Sequence, residues 1–138
     1  MINIFKQDNN KNLIKNIYDK FKKDKWVNGN IILELEKNIK KFLKINHSIT
    51  TCNSGSDALM LVLLLDKNKD KDIYLTTPIS YLATSSIPKF LNLNLIYIDV
   101  NNNNYLMSLE KLENFLKNCP KKILKRIRGI INVELFGQ

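Results

Sequence analysis

The chain has 138 residues, of which 44% are hydrophobic and 25% charged, with a formal net charge of +9. This is enough for one domain with a true core and ordinary for a soluble globular protein. No apolar run approaches bilayer-spanning length, and Met1 to Asp8 shows no basic stretch leading into an apolar one. Neither a membrane span nor a signal peptide is therefore expected, and the location is read as cytoplasmic. The positive charge invites a nucleic-acid reading. Against it, arginine stands only at 126 and 128, and the lysines are spread over several predicted helix faces without interleaved aromatics. Lys, Asn and Ile also share A/T-rich codons, which accounts for the bias. No nucleic acid and no membrane is expected as a partner. The clusters Lys20–Lys25 and Lys121–Arg128 leave room for an acidic one.

The two cysteines, Cys52 and Cys119, form no CxxC pair and lack ligands at metal spacing. Both are expected reduced, with Cys52 buried at the end of a strand and no metal site. His47 is the only histidine and is given no role.

In chain order, apolar residues at Leu13, Ile14, Ile17, Tyr18 and Phe21 predict a helix over 9–21. Trp26 to Asn30 reads as a turn on its Asn-Gly pair. A second amphipathic helix is predicted over 31–45, with Leu33, Leu35, Ile39, Phe42 and Leu43 on its core side. Strands are expected at 47–52, 73–76, 95–100 and 127–133. Helices are expected from the Ser-Gly-Ser stretch to Leu65, over 81–91, where Pro88 should kink or shorten the helix, and from Ser108 to Leu116. Asp66 to Asp72 is a charged loop, and Asn101 to Asn104 a polar one. Strands alternating with helices predict an α/β fold with a mainly parallel sheet covered on both faces. The chain stops just after a strand, at Phe136-Gly137-Gln138. It reads as cut rather than finished, with an open sheet edge and an uncovered face.

The informative stretch is Thr51-Cys52-Asn53-Ser54-Gly55-Ser56-Asp57-Ala58-Leu59. Small polar residues and a glycine lead into a helix that Ser54 or Ser56 can cap. Unpaired N–H groups and the helix dipole make such a corner fit for a phosphate. An ordinary capped helix would read the same way.

Four stretches together resemble the DegT/DnrJ/EryC1/StrS sugar aminotransferases. These are Trp26-Val27-Asn28-Gly29 with Leu35-Glu36 and Phe42, then Asn53 to Leu59, then Thr77-Pro78-Ile79-Ser80-Tyr81-Leu82-Ala83-Thr84, and last Asp99-Val100 with Ile131 to Gln138. The resemblance implies the first part of the large domain of a fold-type I transferase that uses pyridoxal 5′-phosphate (PLP), incomplete at its C-terminus. Residues 1–30 would form an N-terminal helix and arm, and 31–138 the first part of the PLP-binding domain.

By that resemblance, Ser56 and Asp57 hold the cofactor phosphate through backbone N–H groups, with the Ser56 hydroxyl as a further donor. Tyr81 stacks on the pyridine ring. The competing reading of Tyr81 is a core aromatic at a helix start. Glu134 stands where relatives carry His or Asn and is left unassigned. The family's acidic partner of the pyridine nitrogen and its Schiff-base lysine lie beyond the Gly-Gln strand. No lysine here stands in a Ser-x-x-x-Lys context after the sheet, so no catalytic residue is assigned. The implied reaction moves an amino group, with glutamate as donor, to a keto-deoxysugar linked to a nucleotide, for amino-sugar and surface-polysaccharide biosynthesis by a homodimer. The 138 residues alone would be inactive. The alternative is a truncated relative or binding remnant that transfers nothing.

Overall fold

The structure, a computed structural model, describes residues 10–25, 29–66 and 72–137. It divides at Thr51/Cys52 into two compact units. Residues 1–9, the Trp26–Asn28 part of the expected turn, most of the expected 66–72 loop and Gln138 lie outside the described residues.

The first unit is helical. Helix α1 spans Lys11–Lys23 and is capped by Asn10, whose side chain accepts from the N–H groups of Asn12 and Leu13. Helix α2 spans Asn30–Leu43 and closes on Lys44 in the left-handed region. Between them, Asp24 accepts from the N–H of Ile31 at 2.8 Å and of Lys25 at 2.8 Å. These bonds, the Ile31 one foremost, hold its carboxyl below the usual carboxylate range. Gly29 is required by close approach: a Cβ there would stand 2.5 Å from the Lys25 carbonyl oxygen and 2.7 Å from an Asp24 carboxylate oxygen.

Two expectations fail in this unit. Residues 47–52 are not a strand. A strand needs a neighbour for its N–H and C=O groups, and no described strand pairs with this segment. A carboxylate takes that place: Glu36 Oε1 accepts from the Thr51 N–H at 2.9 Å and from its hydroxyl at 3.1 Å. The expected core side of α2 is also not buried, and the apolar side of α1 is likewise open. Leu13, Ile14, Ile17, Tyr18 and Phe21 on α1 are exposed, as are Leu33, Leu35, Phe42 and Leu43 on α2.

The second unit is the α/β part. Helix α3 (Gly55–Asp66) leads to β1 (Ile73–Thr76), α4 (Ala83–Phe90), β2 (Asn94–Tyr97), α5 (Leu109–Asn118), the short α6 (Lys121–Leu124), β3 (Ile127–Ile130) and a 3₁₀ turn at Leu135–Gly137. The sheet is parallel in the order β2-β1-β3. Strand β1, central and buried along its whole length, is an unbroken apolar-rich run, as a strand covered on both faces must be. On one face Tyr74 packs with Leu63, Ile87, Leu91 and Leu93, from α3 and α4 and the turn after α4. On the other, Ile73 and Leu75 pack with Ile98 and Met107, and Leu112 and Phe115 of α5 join them.

Bounds shift by a few residues. Strand β2 ends at Tyr97 rather than Val100, because the chain turns into an isolated antiparallel bridge between Val100 and Met107. Strand β3 ends at Ile130 rather than Val133. Helix α4 begins two residues later than expected and stops two residues past Pro88, which is fully buried. The helix stops where Asn92 enters the left-handed region at φ 58°, its N–H on the Lys89 carbonyl at 3.0 Å and the Leu93 N–H on the Pro88 carbonyl at 2.9 Å. Cys52 is exposed rather than buried, which follows from the missing strand.

One buried-edge network ties three elements. The register of β3 against β1 shifts between Ile73 and Tyr74, so Arg128 is the extra residue of a bulge. Its guanidinium lies 3.1 Å from Asp66 at the end of α3 and 3.8 Å from the buried Asp72. The Tyr74 hydroxyl donates to the other Asp66 oxygen. Burial, then this bond, pushes the Tyr74 phenol up to about 12. The same bond, then Arg128, holds Asp66 below its ordinary value.

Candidate active site

Because Asp66 is bound at the amino end of β1, the other end of α3 lies at the carboxyl end of the sheet. Crevices outside the carboxyl ends of parallel strands are where such folds bind ligands. Three segments emerge there: Asn53 to Asp57, Thr77 to Leu82 after β1, and Ile131 to Glu134 after β3.

Ser54 caps α3. Its Oγ accepts from the Asp57 N–H at 3.1 Å and donates to Asp57 Oδ2 at 2.9 Å, a reciprocal cap. Of the two serines that could cap, Ser54 does so and Ser56 is left available. The Asp57 N–H is engaged by Ser54. Gly55 and Ser56, in the first turn, have no intrahelical acceptor for their N–H groups, and none is found among the described residues. The space in front of Gly55 is open: a Cβ there would meet nothing within 4 Å.

The turn after β1 is held from within. Thr76, wholly buried, donates its hydroxyl to the Ile131 carbonyl at 2.9 Å. Ser80 donates to the buried Thr84 hydroxyl at 2.6 Å, and the Thr84 N–H bonds the Tyr81 carbonyl at 3.0 Å. The backbone of Tyr81 is thus fixed just ahead of α4, where its carbonyl accepts from Thr84, while the residue stands 79% exposed.

Ser56 and Tyr81 border the same space. They line one open pocket of about 240 Å³, with Leu82, Ala83, Ser86 and Ile87. Asp57 does not line it; it acts through the cap. Ser86 was missed by sequence reasoning. Its spacing three residues after Ala83 on the same helix is the signal that would have found it. Glu134 is exposed and accepts from the Asn132 amide. It does not line this pocket.

The pocket fits PLP in kind. A hydroxyl and free N–H groups at one side suit a phosphate, and an exposed ring over an apolar wall suits a flat heteroaromatic ring. Among the described residues no group of His, Cys, Asp and Glu could hold a metal ion, and no helix is long and apolar enough to cross a membrane.

The chain is 27% identical over 113 residues to UDP-2-acetamido-2-deoxy-3-oxo-D-glucuronate aminotransferase of Pseudomonas aeruginosa, covering 82% of this chain and 29% of that protein. It is 28% identical over 116 residues to GDP-perosamine synthase of Escherichia coli O157:H7, covering 81% and 29%. The crystal structure of a DegT DnrJ EryC1 StrS aminotransferase from Brucella abortus superposes with a TM-score of 0.71 at 23% identity, over 93% of this chain and 33% of that one. The chain therefore spans about a third or less of the length of the relatives it matches, and its α/β fold is that of part of a fold-type I aminotransferase. Residues 7–138 match the DegT/DnrJ/EryC1/StrS aminotransferase family, and the chain belongs to it.

Proposed function

We propose that this chain supplies the phosphate corner and ring-stacking side of a PLP-dependent aminotransferase. Its acceptor is a keto-deoxysugar linked to a nucleotide, its amino donor glutamate, and its products amino sugars for surface polysaccharide. The observation that carries the reading is that Ser56 and Tyr81 line one pocket at the carboxyl end of the sheet. The names of the relatives, built on UDP and GDP sugars, support the acceptor class.

PLP, when bound, supplies the electron sink for amino transfer. The residues of this chain bind and orient it. The N–H groups of Gly55 and Ser56 and the Ser56 hydroxyl donate to the phosphate, which competes with the Ser54 hydroxyl for the Asp57 N–H. The Tyr81 ring covers one face of the cofactor ring. The Asp57 carboxylate holds the Ser54 hydroxyl and complements the helix dipole.

The working enzyme is proposed as a cytoplasmic homodimer, with residues 1–30 as its N-terminal arm and 31–138 as the start of its PLP-binding domain. The 138 residues alone are not expected to transfer amino groups. The test is PLP titration of the chain, followed by ring absorbance and amide shifts. Ser56→Ala and Tyr81→Ala should each weaken binding about tenfold, the loss of one charge-assisted hydrogen bond or one stacked ring. Unchanged affinity in both variants would remove the reading. Amino transfer by the unextended chain would remove the claim of inactivity alone.

A further inference from the structure

The pocket at Ser56 and Tyr81 does not end at α4. Leu82 and Ser86 line it and also line a larger trough of about 550 Å³ on the outer side of α4, against the edge strand β2. The trough adds Ser85, Lys89, Leu95 and Tyr97. Its character differs from that of the first pocket. Lys89 is exposed and has no carboxylate partner among the described residues. No acidic side chain lines the trough. The Tyr97 hydroxyl donates to Ser85 Oγ at 3.0 Å, which leaves the Ser85 proton available.

The sheet edge contributes too. Asn94 N–H bonds the Asp72 carbonyl and Ile98 N–H the Thr76 carbonyl, each at 2.8 Å. Residues alternate in a parallel ladder, so Leu95 and Tyr97 turn their N–H groups away from β1, toward the open side. Their carbonyls turn the same way, so the edge itself is mixed, and it is the Lys89 ammonium with the Ser85 hydroxyl proton, over a leucine floor with no acidic side chain, that favours an anion. From Ser86 to Lys89 is a rise of about 4.5 Å along α4, so a single extended ligand can touch both pockets.

We propose that this trough receives the diphosphate and nucleoside of the nucleotide-linked substrate, with Lys89 bearing on the diphosphate and the sugar directed past Ser86 toward Tyr81. The assignment rests on the substrate class argued above and places it on this chain. Charge recognises the diphosphate, and the Leu95 and Tyr97 side carries the nucleoside.

The test titrates the 138-residue chain with UDP and GDP, read by calorimetry and amide shifts, in wild type, Lys89→Gln and Lys121→Gln. Lys121 is exposed on α6, away from the trough. Lys89→Gln should lower nucleotide affinity about tenfold, the scale of a lost charge-assisted contact, and leave PLP affinity unchanged. Lys121→Gln should change neither. Shifts should centre on Ser85, Ser86 and Tyr97. Equal losses in the two lysine variants would mean non-specific attraction to a basic protein and overturn the proposal, as would no saturable nucleotide binding. Nucleotide binding that depends on Lys89 without PLP binding would sustain the trough and count against the aminotransferase reading instead. Identical thermal melts of the three proteins exclude a folding effect.

Discussion

Lys44 closes α2 at φ 52° and ψ 38°, where its N–H reaches the Lys41 carbonyl at 3.2 Å and the next N–H reaches the Lys40 carbonyl at 3.3 Å. That hydrogen-bonded closure is the one glycine usually fills, because an L side chain in the left-handed region costs about 1 kcal/mol. Lys44→Gly should therefore raise the stability of the protein by about 0.5–1 kcal/mol, less than the full strain because glycine also loosens the unfolded chain. A urea midpoint that rises at constant slope would bear this out; a lower one would refute it. At the same scale, Ser54 and Ser56 show what residue identity alone can and cannot tell. Either serine satisfies a cap on paper. Only the geometry, with Ser54 bonded both ways to Asp57, leaves Ser56 available to a ligand.

Among elements, the Arg128 bulge is the joint between α3, β1 and β3. Tyr74 is neutral in the fold, its phenol raised to about 12 by burial and by Asp66, whereas an unfolded tyrosine titrates near 10. The folded form holds the proton more tightly, so this contribution is whole below about pH 10 and fades as pH climbs toward 12. Asp66 has the opposite sign: its carboxyl is depressed, chiefly by the Tyr74 hydroxyl, and its contribution is lost as pH falls through the acid range. Stability measured by urea between pH 9 and pH 12 should decline more steeply in wild type than in Tyr74→Phe, which has no phenol to ionise. Parallel curves would show that the network does not couple to folding. The bulge was not legible in the sequence, since Ile127-Arg128-Gly129-Ile130 reads as a plain strand. The strand itself was legible, as were β1 and all the long helices, because apolar runs and their periods state which faces must be buried.

At the scale of the whole molecule, the charge of +9 and an exposed apolar stripe on α1 occur together. Leu13, Ile14 and Ile17 are 46%, 55% and 47% exposed, a contiguous patch of the kind that binds hydrophobic dyes and drives association. Ile14→Ser with Ile17→Ser should lower anilinonaphthalene sulfonate fluorescence and shift sedimentation toward the monomer. The melting point should stay nearly constant, because exposed substitutions usually change stability by less than about 0.5 kcal/mol. A large loss of stability would mean that the stripe is core after all. Sequence periodicity marked this face correctly as apolar but could not say whether anything covers it.

By itself, then, the sequence determined most of the alternation of helix and strand, the parallel sheet and the serine-capped start of α3, all of which follow from local pattern and turn chemistry. It also carried the family, through four short stretches in order. Tertiary structure decided the rest. Residues 47–52 form no strand, because strand formation depends on a neighbour that local pattern cannot specify. Ser86 and Lys89 border open space because α4 packs on α3 through Leu63 and Ile87, leaving its other side toward the sheet edge. Pockets belong to the gaps between elements, and a gap is a property of packing rather than of any one stretch of chain.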